Sequence, residues 1–360
     1  MIKKLGTAIS EYSVRNKLDE DIPVYSVTNE QGFCTGYFSK DVASKDRTTY
    51  KIVPYGYFAY NPSRINVGSI DWQHSEERVI VSPLYVVFGV DESVDKRYLL
   101  HYLKSDIARM LIKNYASGSV RDNLKLSTLM EFPFNFRSLE EQKKIADVLD
   151  KIDNLIGVQK QRMDYFDRLV KSRFVELFGD PAMNTKGWEI EKAEKHIDLL
   201  SGFPFDSSHY TECGIKICGG LIIMPQRIDW DSCKYWSSIE GFEEYTLREN
   251  DIVMALDRPW ISEGFKVAMV DADELPALLI QRTARIRAVD INQHYLMYCF
   301  ILGGFDNHCN VTGSLVPHIS AKDIRSFPIM LPSIELQEQF STFVEQTNKS
   351  KLCSEMEVAA

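Results

Sequence analysis

An internal repeat of about 195 residues constrains this chain more than any other feature, because it demands two domains of one design instead of one large core. Gly118-Ser119-Val120 recurs as Gly313-Ser314-Leu315, Phe132-Pro133 as Phe327-Pro328, Ser138-Leu139-Glu140 as Ser333-Ile334-Glu335 and Gln142 as Gln337, all at an offset of 195. Upstream, Tyr50-Lys51-Ile52 aligns with Tyr245-Thr246-Leu247, and Gly56-Tyr57-Phe58-Ala59 aligns with the stretch from Asp251 to Ala255 with one gap. The stretches starting at Tyr98 and Tyr295 match at 197, so small insertions fall between these blocks. A length of 360 residues suits two domains of roughly 150 residues plus connecting structure. In each copy short β-branched and aromatic runs, such as Val79-Ile80-Val81 and Leu278-Leu279-Ile280, predict buried strands, followed by a helix and a Gly-Ser loop. The expected fold class is α+β: two homologous mixed α/β domains, residues 1–137 and 181–332, separated by long coiled-coil-forming helices.

Between the copies, residues 138–180 predict one long helix. Ser138 and Glu141 form a capping box, and Gly179-Asp180-Pro181 supplies a C-terminal glycine followed by a proline stop. At 1.5 Å per residue such a helix spans roughly 60 Å. Steps of four and three from Ile145 visit Leu149, Ile152, Ile156, Gln159, Met163, Phe166, Val170, Arg173 and Leu177, a mostly apolar seam that calls for a partner helix. The second copy, residues 333–360, is shorter and loses its stripe early. The seam around Met163, Phe166 and Val170 is therefore expected to stay exposed, favouring self-association or a partner.

Net charge is -9, distributed as +2 over residues 1–137, -1 over 138–181, -7 over 182–332 and -3 over 333–360. A protein that simply coats nucleic acid is thereby excluded, since affinity of that kind comes from neutralising phosphates. Any nucleic-acid contact must rest on local basic clusters. The seven cysteines form no CxxC pair and read as reduced packing residues, which with the absence of a signal peptide or apolar span gives a cytoplasmic expectation. His308-Cys309 with His318 lacks a second pair at zinc-site spacing. Neither a phosphate loop, HExxH nor GxSxG is present, and Asn61-Pro62-Ser63-Arg64 lacks the second proline and ring of an adenine-methyltransferase motif. No catalytic residue, metal site or cofactor of the chain's own is expected.

Two phrases flank the central helix. Ser138-Leu139-Glu140-Glu141-Gln142-Lys143-Lys144-Ile145-Ala146 and the stretch from Lys171 through Phe174, Phe178 and Gly179 to Pro181 resemble the start and end of the central conserved helix of type I restriction-modification specificity subunits. The resemblance implies a non-catalytic subunit whose two target-recognition domains each read half of a bipartite DNA site. It also implies that the helices dock two methylation subunits. Those partners use S-adenosylmethionine, and a further restriction subunit uses ATP and magnesium. The short second helix departs from the family pattern and leaves open a truncated or orphan subunit acting as a decoy or scaffold for methylation subunits.

Reading DNA requires side chains that fork onto base edges beside others that hold phosphates. Candidates in the first domain are Lys45, Arg47, the Tyr60, Asn61, Ser63 and Arg64 loop, and Gln73; Ser119, Arg121 and Lys125 form a further possible phosphate loop. In the second domain Arg258 and Trp260 lie where Asn61 to Arg64 lie in the first. Arg64 and Arg258 are candidates for base or phosphate contact, the alternative being a solvated loop charge. Arg282, read as part of a strand with Arg285, is a weaker candidate that could instead pair with an acidic neighbour.

Overall fold

In the computed structural model, the described residues are 1–35, 47–116, 123–311 and 317–359. The chain divides into two compact units, Met1–Gly157 and Val158–Ala360. In the first unit, β1 (Ile2–Lys4) and β2 (Ile9–Glu11) precede a hairpin, β3 (Ser26–Thr28) and β4 (Gly32–Cys34). There follow β5 (Lys51–Pro54), β6 (Phe58–Tyr60), β7 (Ile70–Trp72), β8 (Arg78–Val81), β9 (Val86–Val90), α1 (Lys96–Lys104), α2 (Asp106–Ala116), α3 (Leu126–Met130), β10 (Pro133–Asn135) and α4 (Leu139–Phe178). The second unit holds the last part of α4, then β11 (Ile190–Lys192), β12 (Ile197–Ser201), β13 (Ile215–Cys218), β14 (Ile223–Met224), β15 (Arg227–Ile228), β16 (Lys234–Trp236) and β17 (Ile252–Ala255). It continues with β18 (Trp260–Ile261), β19 (Gly264–Phe265), β20 (Val267–Met269), β21 (Ala277–Leu279), β22 (Thr283–Ala288), α5 (Gln293–Leu302), α6 (Phe305–His308), α7 (Ala321–Ser326), β23 (Pro328–Met330) and α8 (Ile334–Ala359). The class is α+β.

The sequence repeat is a repeat of topology. Each unit has a four-stranded antiparallel sheet, ordered β2-β9-β6-β7 in the first and β12-β22-β17-β20 in the second. Each is closed by a short antiparallel pair joining its first and last strands, β1 with β10 and β11 with β23. Val24 bridges Ile80 in parallel in the first unit, as β13 pairs with β21 in the second, Ile217 opposite Leu278. The central strands are buried on both faces, Phe58, Ala59 and Tyr60 in β6 and all of β17, so they read as apolar runs without alternation.

One buried glutamine per copy explains why Gln142 and Gln337 repeat. Gln142 accepts a hydrogen bond from the Asp95 N–H (2.9 Å) and donates to the Ser93 and Arg137 carbonyls, tying the start of α4 to the N-cap of α1. Gln337 likewise accepts from the Asn292 N–H (2.8 Å) and donates to the Pro332 carbonyl, tying α8 to the N-cap of α5. Both N-cap side chains, Asp95 and Asn292, accept from the backbone amides two and three residues on, so helix and cap are fixed together.

The helix ends form as their residues require. Glu141 accepts from the Ser138 N–H at 3.0 Å while the Glu141 N–H donates to the Ser138 hydroxyl at 3.3 Å. Gly179 takes φ +81° and donates to the Val175 carbonyl, a conformation that needs glycine. The expected exposure of the far seam is corrected. Val170 is fully buried with Phe174 and Phe178, and Met163 and Phe166 are half-buried. The reason is that α8 runs antiparallel to this part of α4, with Phe340 beside Phe174 and Phe178 and Lys351 paired to Asp167. Of the apolar seam positions, Ile152 and Ile156 are exposed, with Val148, Leu155 and Val158 exposed beside them, while Ile145 and Leu149 are half-buried; Tyr165, Leu169 and Val175, off the seam, are exposed farther along.

Candidate nucleic-acid interface

The two candidate loops occupy one position in one frame. In the first unit, residues 61–64 leave β6 and lead through a short turn of helix into β7. In the second, residues 256–259 leave β17 and lead through the β18–β19 hairpin into β20. Their backbone bonds correspond: Asn61 N–H donates to the Ser69 carbonyl and Ser69 N–H to the Arg64 carbonyl (both 3.2 Å), whereas Ala255 N–H donates to the Lys266 carbonyl (3.0 Å) and Lys266 N–H to the Pro259 carbonyl (2.8 Å). The side chains behind the loops correspond too. Ser69 donates its hydroxyl proton to the Val27 carbonyl at 2.5 Å, and the Lys266 ammonium donates to the Gly220 carbonyl.

Around the first loop lies a cavity of about 300 Å³ lined by Ser26, Val27, Thr28, Asn61, Ser63, Arg64, Ser69 and Tyr85. Asn61 accepts from the N–H and hydroxyl of Ser63 (3.1 and 2.9 Å), which shapes the loop and leaves Arg64 exposed at the rim. No carboxylate lies within 4 Å of the Arg64 or Arg258 side chain among the described residues. Arg258 is exposed, with φ +45°, and its N–H donates to the Pro317 carbonyl at 2.7 Å. A non-glycine residue held in that region is strained, so the loop conformation is imposed by its surroundings.

Other candidates fall elsewhere. Tyr60 is corrected: it has no exposed surface and donates its hydroxyl proton to the Leu124 carbonyl, so it belongs to the core beneath the loop. Gln73 is corrected likewise. Its amide is fully buried, donating to the Glu76 carbonyl and accepting from the Ser75 and Glu76 N–H groups, and it holds its own turn. Arg282 is not in a strand; it sits in the turn before β22 with φ +67°, exposed and 3.8 Å from Asp257. Arg285, its neighbour in β22, is buried and pairs with Asp198 at 2.5 Å.

Arg47 reaches Asp21 at 3.5 Å, and Lys125 is exposed at the N-cap of α3. Trp260 stacks on Phe265 (5.2 Å, 20°) and is half-buried. Lys45, Ser119 and Arg121 lie outside the described residues. His308 shares a hydrogen bond with Ser326 at 3.0 Å and packs against Phe305 and Phe327, a structural histidine. All seven cysteines are free thiols. Sequence reasoning missed Ser69 and Lys266, whose signal was their shared offset of 197 immediately before matching strands.

Fold and loops define a class: a protein built twice from one module, each module offering on the same loop an arginine with no carboxylate within 4 Å among the described residues, joined by a long helix. Residues 3–164 match a family model described as the type I restriction modification DNA specificity domain. The specificity subunit of the type I restriction enzyme MjaVIII of Methanocaldococcus jannaschii is 25% identical over 263 residues, 68% of this chain and 61% of that protein. The EcoAI specificity subunit of Escherichia coli is 30% identical over 175 residues, 46% of this chain and 30% of that one. The crystal structure of a type I restriction-modification S subunit from M. genitalium superposes with a TM-score of 0.55 at 13% identity, covering 100% of this chain and 92% of that one, a likeness of fold. Over residues 3–164 the chain thus matches the DNA specificity domain of type I restriction-modification systems, and the relatives named are specificity subunits of such systems. It spans less than two thirds of the length of these curated relatives, 61% and 30%.

Proposed function

We propose that this chain is the DNA-specificity subunit of a type I restriction-modification enzyme, a reader without chemistry of its own. Residues 1–137 and 181–332 serve as target-recognition domains, each for one half of a bipartite duplex site. Residues 138–180 are the helix between them and residues 333–360 its shorter second copy. The observation that carries this reading is the duplicated frame presenting Arg64 and Arg258 at one loop position, in a chain whose residues 3–164 match the DNA specificity domain. Methylation subunits, expected in two copies, dock along the helices, where Ile152 and Ile156 expose about half of their surface (46% and 57%). Restriction subunits complete the assembly. S-adenosylmethionine, ATP and magnesium belong to those partners, and the assembly works in the cytoplasm. No helix among the described residues is long and apolar enough to cross a membrane.

The test is methylome sequencing of the source organism with and without the gene, then with residues 1–137 exchanged for those of a relative. One bipartite methylated sequence should vanish with the gene, and the exchange should alter one half of it. Methylation unchanged by deletion defeats the reading, and change in both halves defeats the division into modules.

Arg64 lies at the rim of a cavity of about 300 Å³ with a mostly polar lining, so Arg64→Ala is expected to relax discrimination at one base pair of one half-site. A bidentate contact to guanine is worth about 1–3 kcal/mol, visible in competition binding against single-base-pair variants of the methylated sequence. Equal weakening on every sequence would make Arg64 a phosphate contact instead.

A further inference from the structure

The two copies part company at the residue just before the strand that leaves the arginine loop. It is Ser69 in the first unit and Lys266 in the second, each bonded to the carbonyl at the matching place, Val27 or Gly220. Around the serine the frame leaves the polar cavity open. A lysine in that place is 6% exposed, so the second unit carries an aliphatic stem and an ammonium behind its loop. Its only hydrogen-bond acceptor among the described residues is the Gly220 carbonyl. The carboxylate closest in sequence, Glu263, is exposed and accepts from the Ser262 hydroxyl, and Asp257 is directed to Arg282.

A buried cation without a counter-charge is costly. Burial first, and then the positive charge of Arg258, hold the Lys266 ammonium below the ordinary lysine range. Two cations thus act on one spot of a unit that is otherwise strongly acidic, -7 over residues 182–332. An anion at the loop surface relieves both repulsion and desolvation, and backbone phosphate is the anion a duplex offers everywhere along its length.

We propose that Arg258 and Lys266 together hold one DNA backbone phosphate in the second unit, Arg258 by direct contact from the exposed loop and Lys266 from behind it. This rests on the reading of the chain as a DNA-specificity subunit. The first unit, with serine in the lysine's place, lacks the site and offers Arg64 beside an open cavity. Of the two equivalent loops, one anchors and the other discriminates.

The test uses the full chain assembled with its methylation subunits and a pool of random-sequence duplexes, with anisotropy titrations over a range of salt. Lys266→Ser takes the residue that the same frame already carries in the first unit, and Arg258→Gln changes an exposed side chain. Each should weaken binding to the whole pool, and the double variant should reduce the slope of log affinity against log salt by about one, not two, because both serve one phosphate. Lys266→Arg should restore most of the loss. Unchanged slope and affinity in Lys266→Ser and Arg258→Gln overturn the proposal. So does a loss for Arg258→Gln confined to one base-pair change in the methylated sequence, which makes Arg258 a base reader. Should Lys266→Ser fail to fold, Arg258→Gln alone decides, by a slope reduced or unchanged. An unsubstituted assembly that binds no duplex defeats the DNA-specificity reading itself, a different result from failure of the phosphate site.

Discussion

Phe174→Ala is expected to destabilise the second unit by about 3–5 kcal/mol, the usual cost of removing a buried phenyl ring from a packed core. Phe174 is fully buried, stacked on Tyr295 at 5.6 Å and 12°, and edge-on to Phe178 and Phe340 at 4.9 and 5.3 Å. It therefore joins three pieces of chain: the last turns of α4, α5 and α8. Phe166, half-buried two turns earlier, should cost distinctly less when truncated. Denaturant unfolding followed by tryptophan fluorescence is a suitable measurement, because four of the five tryptophans, Trp188, Trp230, Trp236 and Trp260, lie in this unit. A loss below about 1 kcal/mol for Phe174→Ala would mean that the ring cluster relaxes to fill the space, contrary to the packing described.

The repeat made the architecture legible because duplicated sequence has to fold into duplicated topology. The repeat offset places the α4 and α8 starts, the Gln142 and Gln337 pair, and the loops after β6 and β17. What the pattern could not supply was the direction in which a polar side chain spends its hydrogen bonds. Gln73 looks available by type, yet its amide is consumed by Ser75 and Glu76. Tyr60 ends a strand buried on both faces, where the period of two carries no information about exposure. Lys266 sits between Phe265 and Val267 and reads as a solvated lysine, because burial of its stem depends on Gly220, 46 residues earlier. The expected exposure of the far seam failed for a related reason. A heptad shows that α4 needs cover along its length, but which part α8 covers follows from their antiparallel register, set by Phe340 against Phe174 and Lys351 against Asp167.

Asp251→Ala should lower the stability of the second unit by about 3–5 kcal/mol, the cost of breaking a buried ion pair by deleting one partner. Asp251 is buried at the start of β17, accepts from the Arg248 N–H at 2.7 Å, and receives two hydrogen bonds from Arg287, Nε at 2.5 Å and Nη2 at 2.8 Å. The same hydrogen bonds raise the Arg287 pKa above its ordinary value, burial acting against them. Deleting the carboxylate leaves a guanidinium largely out of water without its partner. Replacing both, as Asp251→Leu with Arg287→Met, removes the charge together with its need, and most of the stability should return. The strand concerned is central in the four-stranded sheet of the second unit, while nothing in the pair belongs to residues 1–157. On the proposed function, Asp251→Ala should accordingly abolish discrimination in one half of the bipartite sequence and leave the other half readable at reduced overall affinity. Thermal melts together with competition binding against half-site variants decide the matter. Equal loss in both halves would show that the modules are not independent readers, and a double replacement as unstable as Asp251→Ala would show that the pair's packing, not its charge, holds β17 in place.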